Sequence, residues 1–415
     1  IAKGNEVQTV TGKNILLATG SQPFRPAGIP FDGKRIFDSD SINQIGYLPK
    51  SIAITGSGII AIEYAKIFNN LGADVTLIIR DHLPRNALMK IGLDRNVAAT
   101  LVADLVQCGI KIIRGAQVKE FDVPKSDSVG GGLRSDVKIL LEKRGGGALP
   151  KGSVTEIRCD TYLAAVGRKP NTGNLNLMSA GIKVDQYGGI LVDNRLATTA
   201  TCGSVYAAGD VVGRPFLAST GSAQGQAAVA SMFSSEKLTS LLECDPNDAA
   251  CIVDPLEKVG ECFDPASLAL NPFAFPIGIW SSPEAAYYGL STQQANEMGY
   301  NNVGESIALY AECLRGRVFS PNGMLKLVFE KPAGKIVGVH ICGDDACELI
   351  HYGMELVKGR RTIEDLNNSL FSAVTYHELY RIAARAALDD ESARKRRAAV
   401  SIAVAQRIRS NKNSK

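Results

Sequence analysis

The sequence predicts an α/β protein built on a Rossmann-like parallel sheet, and three observations predict it. Residues Ser51 to Thr55 form a short apolar run that ends on Gly56-Ser57-Gly58. Beyond that turn Ile59, Ile60, Ile62, Tyr64, Ile67 and Phe68 recur at helical spacing. Gly72 then closes the helix, and Val75 to Ile79 is a second β-branched run, so the stretch reads as one strand–helix–strand unit. Near-continuous apolar strands of this kind are buried on both faces of a parallel sheet.

The turn carries chemistry as well as shape. Gly56-x-Gly58-x-x-Ala61 has the G-x-G-x-x-G/A spacing of a dinucleotide fingerprint. The first glycine permits the turn, and the second lets backbone amides approach a pyrophosphate at the positive helix end. The small Ala61 lets helix and strand pack closely. At the end of the second strand an NAD site normally carries an acid for the ribose 2′-hydroxyl. Here Leu77-Ile78-Ile79 runs into Arg80. Arg80, with Arg85, suits a 2′-phosphate through charge-assisted contacts, so NADP(H) is expected to bind. Asp81, directly after, leaves NAD(H) use open.

Composition narrows the class. At 415 residues the chain is too long for one core and predicts two or three domains. No run of 18 uninterrupted apolar residues occurs, so no membrane-spanning helix is expected. The net charge of +4 is small and drawn largely from the end of the chain, which does not imply nucleic acid. Nine scattered cysteines, an odd count, fit reduced thiols inside a cell better than a disulfide framework. None of the four histidines pairs with cysteines at zinc spacing, so no metal site is expected. The chain opens on Ile1 with no basic-then-apolar signal before its first strand, which reads as a truncated start.

In chain order, Val7 to Leu17 alternates as a strand or hairpin, and Ile15-Leu16-Leu17 ends on Ala18-Thr19-Gly20. Pro23 and Pro26 force an extended exit. Asp94 to Gln107 places Val97, Leu101 and Leu105 on one helical face, Gly109 ends it, and Lys111 to Ile113 is a strand. The glycine triplets at 130–132 and 145–147 lack a strand-to-helix context and read as hairpin loops. Cys159 to Val166 is a strand leading to Gly167-Arg168-Lys169-Pro170-Asn171. Val205-Tyr206-Ala207-Ala208-Gly209-Asp210 is another, before a helix from Ser222 to Phe233. A carboxylate at that strand's end can accept hydrogen bonds from a polyol, and the ribitol of a flavin would suit it.

These stretches, in this order, resemble the flavin- and pyridine-nucleotide-dependent disulfide oxidoreductases. The resemblance implies two Rossmann-like domains, for FAD (incomplete here) and NAD(P), plus a C-terminal α+β dimerisation domain. The implied divisions are 1–45 as a remnant of the FAD domain, 46–165 for NAD(P), and 166–275 as the FAD domain's return, with an inserted loop at 232–272. Residues 276–390 form the dimerisation domain and 391–415 a basic tail. The resemblance implies that Asp210 binds the ribitol, that Glu63 helps place the nicotinamide, and that Ala218 lies by the flavin. It adds Thr19, Gly20, Ile59, Ile60, Val118, Gly167 and Gly209 to the cofactor-binding set. The family's first FAD fingerprint and its usual redox cysteine helix do not occur within these residues, so an upstream segment is expected.

Residues 232–272 are rich in Asp, Pro, Ser and Cys and read as a surface insertion with one helix at 235–242; Cys244, Cys251 and Cys262 are expected to be solvent-side thiols. Cys342 and Cys347 have the spacing of the family's redox pair but fall between a hairpin (Leu325 to Phe329, Ile336 to Ile341) and an amphipathic helix (Ala346 to Val357), so they are read as core residues. The family's disulfide reductases place an acid/base histidine five residues before a glutamate; that glutamate is Glu378 here, and the histidine's position is Ala373. Alanine cannot move a proton. His377 is one residue from Glu378 and shares no helix face with it.

Hydride transfer between nicotinamide and flavin needs orientation rather than a protein base. Residues 343–353, with Glu378-Leu379-Tyr380-Arg381, resemble the soluble FAD-containing pyridine nucleotide transhydrogenases. That resemblance implies reversible hydride transfer between NADPH and NAD+ through FAD, with Glu63 and Glu378 as candidate catalytic residues. It also implies a homodimer or higher homo-oligomer in the cytoplasm or an organelle matrix. The competing readings are a dihydrolipoamide dehydrogenase or related disulfide reductase, and an inactive flavoprotein fold kept as a structural subunit. The tail, with Arg394-Lys395-Arg396-Arg397, reads as a solvated helix.

Overall fold

The computed structural model describes residues 2–3, 6–7, 9–124, 136–193, 195–200, 202–233, 275–300 and 302–389. The described chain forms two units, one of residues 23–167 with 275–389 and one of residues 2–22 with 168–233. The expectations for 130–132, for the insertion beyond residue 233 with its three cysteines, and for the basic tail lie outside the described residues.

The larger unit holds a five-stranded parallel sheet in the order Ile36–Asp38, Thr161–Ala164, Ser51–Thr55, Asp74–Ile79, Lys111–Arg114. Ile52, Ile54, Leu77 and Ile78 are buried in it, as their apolar runs require. From Ser51–Thr55 the chain steps one way through Asp74–Ile79 and Lys111–Arg114, then returns on the other side as Thr161–Ala164. That reversal creates a switch point at the carboxyl ends of Ser51–Thr55 and Thr161–Ala164, where open parallel sheets bind ligands. An antiparallel layer, Ala116–Asp122, Val137–Lys143 and Glu156–Cys159, packs Val137 and Ile139 against Tyr162 and Ile78. Gly145, Gly146 and Gly147 make its hairpin loop, all at left-handed φ.

The single strand expected over Cys159 to Val166 is two strands in two sheets. The break is Asp160. Its carboxylate accepts from the Lys50 amide at 2.7 Å and its own amide donates to Ser51 Oγ at 3.0 Å, so the chain turns from one sheet into the other there.

Residues 275–389 form a five-stranded antiparallel sheet, Ile277–Ile279, Ala285–Gly289, Lys335–Cys342, Met324–Glu330, Val303–Leu309. Helices Ala346–Lys358 and Glu378–Leu388 bury Leu349, Ile350, Leu379 and Tyr380 against it. Cys342 and Cys347 are buried free thiols whose pKa burial pushes up to about 12. They are core residues, as expected.

In the smaller unit Ile15–Leu17 pairs in parallel with Val205–Ala207, over a core of Leu177, Ile182, Ile190 and Val211. Of the strand or hairpin expected over Val7 to Leu17, the structure has the strand Ile15–Leu17, while Val7 ends a short ladder of Ala2–Lys3 with Glu6–Val7. The helix expected from Ser222 begins at Ala218. Gly221 lies in its first turn, where a Cβ would make an ordinary contact, 3.5 Å, with the Gly209 Cα.

Burial pushes the pKa of both His340 and His377 down. Each therefore prefers its neutral form in the fold, and the unfolded chain binds more protons below the ordinary histidine value of about 6.5. Stability is full above that value and falls as pH drops through it. Asp94 and Glu305, whose pKa values are lowered, withdraw their stabilisation further down, below about pH 4. Urea unfolding is expected to weaken between about pH 7 and 5.5 in wild type and to stay flat there in a His340→Met/His377→Gln double variant. An unchanged slope in the variant would contradict this.

Candidate functional site

The switch point is built by one strand, turn and helix. Ala165 donates its amide to the Thr55 carbonyl at 2.8 Å, and Gly56 donates to Ile78 at 3.2 Å, pinning the turn to both neighbouring strands. Gly56 has φ +144°, and a Cβ there would collide with the Ala165 carbonyl oxygen and lie 2.9 Å from its carbon. Gly58, the N-cap of helix Ile59–Asn70, has φ −83° and a Cβ there would meet nothing. Neither backbone nor packing demands glycine at 58; what glycine preserves is open space over the helix end. Gly58 offers no side-chain cap, so the first amides of that helix, at Ile59 and Ile60, have no capping acceptor. Ala61 is fully buried where a side chain at 56 would reach it. A bare glycine shelf in front of uncapped amides fits a pyrophosphate.

At the next strand end Arg80 is exposed and has no hydrogen bond or ion pair among the described residues. Asp81 is occupied: Lys90 Nζ lies 2.8 Å and Arg144 Nη1 3.2 Å from its Oδ1. The Gly115 amide also donates to the Asp81 carbonyl, and the Arg144 amide to the Gly115 carbonyl. Arg85 is half-buried on the short helix Pro84–Met89. This strand end therefore presents cations, with its one acid already paired.

Glu63, one turn into the fingerprint helix, accepts the Trp280 amide at 2.9 Å, and burial pushes its pKa up. The Trp280 ring beside it is 65% exposed. Val118 lies on the antiparallel layer, half-buried against that layer's apolar cluster. Gly167, at φ +118°, ends the Thr161–Ala164 strand's exit and accepts the Phe24 amide at 2.9 Å.

The smaller unit gathers the other expected residues. Arg168 Nε donates to Ser21 Oγ at 2.8 Å, and Ser21 Oγ donates to Asp210 Oδ2 at 2.5 Å. Thr19 Oγ1 donates to the Asn171 carbonyl at 2.9 Å, and the Gly20 carbonyl accepts the Asn171 amide at 2.8 Å. Gly209, at φ +78°, donates to Gln224 Oε1 at 2.8 Å. Ala218 is exposed at the start of its helix, and Thr220 Oγ1 two residues on is buried without a hydrogen-bond partner. The strand-end carboxylate of Asp210, oriented by Ser21, is of a kind that accepts hydrogen bonds from a polyol.

Ala373 is exposed in a loop, and Glu378 is the first residue of helix Glu378–Leu388. His377 lies between aromatic rings, with Tyr352, Tyr380 and Phe371 centroids 6.0 to 6.4 Å away. Sequence reading did not single out Ser21, Trp280, Lys90 or Arg144. Arg168 lies within the Gly167-Arg168-Lys169-Pro170-Asn171 motif, which by itself assigns it no role.

Residues 2–225 match the family described as pyridine nucleotide-disulphide oxidoreductase, and residues 275–384 match its dimerisation domain. The chain belongs to this family. It is 31% identical over 381 residues to the soluble pyridine nucleotide transhydrogenase of Mycobacterium bovis, covering 91% of this chain and 69% of that protein. It is 32% identical over 384 residues to the enzyme of that name from Colwellia psychrerythraea, covering 91% and 70%. Among solved structures, the HOCl-induced flavoprotein disulfide reductase of Escherichia coli, as its Cu(II) complex, superposes with a TM-score of 0.72 at 21% identity, over 93% of this chain and 75% of that one. Membership makes this chain a flavoprotein NAD(P)H oxidoreductase, an enzyme class that uses FAD and a pyridine nucleotide. No helix among the described residues is long and apolar enough to cross a membrane.

Proposed function

We propose that the protein transfers hydride reversibly between NADPH and NAD+ through FAD, as a homodimer in the cytoplasm or an organelle matrix. The bound flavin would supply the hydride relay. Residues 46–165 are assigned to NAD(P), 1–45 and 166–275 to FAD, and 276–390 to dimerisation. Gly56, Gly58 and the amides of Ile59 and Ile60 cradle the pyrophosphate, with Ala61 keeping helix and strand close. Arg80, with Arg85, takes the 2′-phosphate. Glu63 orients the nicotinamide end, and its bond to the Trp280 amide fixes its direction. Asp210, braced by Ser21 and Arg168, anchors the ribitol.

The observation that carries this over disulfide reduction is at residue 373. Alanine there holds no proton, and the nearby His377 sits in an aromatic stack with its pKa pushed down by burial. Hydride transfer needs no such proton. The relatives' names point the same way.

The test uses the protein purified with FAD. Reduction of thio-NAD+ by NADPH is expected to proceed without turnover of lipoamide or glutathione disulfide. Arg80→Ala is expected to raise KM for NADPH about tenfold or more while leaving KM for NADH nearly unchanged, as loss of one charge-assisted phosphate contact implies. Strong disulfide turnover would overturn the reading.

A further inference from the structure

The fingerprint helix carries a second reactive cluster on its carboxyl-terminal half, apart from the turn that faces the nucleotide. Lys66 is 4% exposed, and its Nζ donates to Asp104 Oδ2 at 2.6 Å and to Cys108 Sγ at 3.0 Å. Cys108 is the C-cap of helix Arg95–Gln107, and its thiol donates to the same Asp104 oxygen at 3.7 Å. The thiol is exposed, so a solute can reach it although the lysine is covered. We propose that Lys66, Asp104 and Cys108 form an oxidant-gated cross-linking site, at which a hydroperoxide oxidises Cys108 and Lys66 captures the product as a reversible sulfenamide.

The chemistry balances in two steps. Cys108 sulfur attacks one peroxide oxygen: the S–O bond forms, the O–O bond breaks, and the departing hydroxide takes the thiol proton to leave as water. Sulfur loses two electrons and the peroxide gains them. Lys66 Nζ first passes one ammonium proton to Asp104 Oδ2, which frees its lone pair, and then attacks that sulfur: the N–S bond forms, the S–O bond breaks, and the hydroxyl leaves as a second water with a second nitrogen-borne proton. No further electrons move.

Each member of the cluster is placed for its part. Burial lowers the Lys66 pKa, but its bonds to Asp104 and Cys108 outweigh burial and the net shift is upward. The covered ammonium thus stays charged and holds its nitrogen 3.0 Å from the Cys108 sulfur. Once the thiol is oxidised, Asp104 is the base within reach of Nζ. Cys202 is the contrasting case: it is also exposed, and its hydrogen-bonding neighbour is the Ser204 hydroxyl at 3.4 Å rather than a lysine. Among the described residues no amine is hydrogen-bonded to its sulfur.

The experiment is peptide mapping by mass spectrometry of the full chain, reduced and then treated with hydrogen peroxide. The expected product is one linked peptide joining Lys66 to Cys108, two hydrogens lighter than its reduced parts, resistant to trypsin at Lys66 and released by dithiothreitol. Cys202 should give no lysine-linked species. Asp104→Asn is expected to lower the yield of linked peptide about tenfold or more and to increase dimedone-trapped sulfenic acid at Cys108 in step. Dimedone-trapped Cys108 with no link in the wild-type chain, unmodified Cys108, or a link to another lysine would each overturn the proposal. The wild-type map decides it without a variant at the buried lysine.

Discussion

Gly56→Ala is expected to cost the fold about 2 to 6 kcal/mol, whereas Gly58→Ala should leave stability almost untouched and strike nucleotide binding alone. Both are glycine-to-alanine changes in the same turn, and the difference lies in what surrounds each. At Gly56 the backbone has φ +144°, and the new methyl would collide with the Ala165 carbonyl oxygen, a backbone atom just past the carboxyl end of the strand Thr161–Ala164. That carbonyl cannot retreat without disturbing the Ala165 amide bond to Thr55. The strain of the backbone and the overpacking each contribute about 1 to 3 kcal/mol, a large share of a domain's usual 5 to 15 kcal/mol. At Gly58 the φ of −83° suits any residue and the methyl meets no protein atom. It would stand where the pyrophosphate approaches the helix amides, so affinity should fall about 10- to 100-fold. Thermal unfolding and NADPH titration of the two variants separate these effects. Equal melting temperatures would remove the steric argument at 56, and undiminished affinity at 58 would move the pyrophosphate elsewhere.

The difference between these glycines shows where sequence reading stops. Strand, turn and helix at 51–79 were legible because their signals are local: apolar runs, a turn spacing, and helical periodicity within one stretch. The helix over Arg95–Gln107 and the hairpin of Met324–Glu330 with Lys335–Cys342 were legible for the same reason. What stayed hidden joins distant residues. Trp280 meets Glu63 across 217 positions, and Ser21 meets Asp210 across 189. No periodicity encodes such pairs. Asp81 read as an acid available to a ribose because nothing in the sequence announces that Lys90 and Arg144 will hold it. Asp160 misled: it breaks a run that looked continuous, because its carboxylate caps a neighbouring strand. The helix expected from Ser222 starts one turn earlier, at Ala218, where no apolar periodicity marks its first turn.

Lys326→Met is expected to cost about 3 to 5 kcal/mol, more than any surface charge in the chain could. Lys326 lies in the middle of Met324–Glu330 and is buried, an unusual place for an ammonium. Its three protons find three acceptors: Asp94 Oδ2 at 2.9 Å, Glu305 Oε2 at 2.7 Å and Asn96 Oδ1 at 3.0 Å. Asp94 and Asn96 begin the helix Arg95–Gln107 of the nucleotide-binding part, whereas Glu305 and Lys326 belong to the C-terminal sheet. The ammonium thus ties the two parts of the larger unit together. Tyr287 reinforces the tie from beside His340, donating its hydroxyl to the Ile91 carbonyl at 2.5 Å. Methionine fills the volume but leaves Asp94 buried with no cation, and the cost of that stranded carboxylate exceeds the lost attraction. Asp94→Asn keeps an N-cap oxygen for the Asn96 amide and removes the charge. The Lys326→Met/Asp94→Asn double variant should therefore recover about 1 to 3 kcal/mol relative to Lys326→Met alone. Urea unfolding followed by circular dichroism measures both. A single variant costing under about 1 kcal/mol, or a double variant no better than the single, would mean that Asp94 is not stranded and that other contacts hold the two parts together.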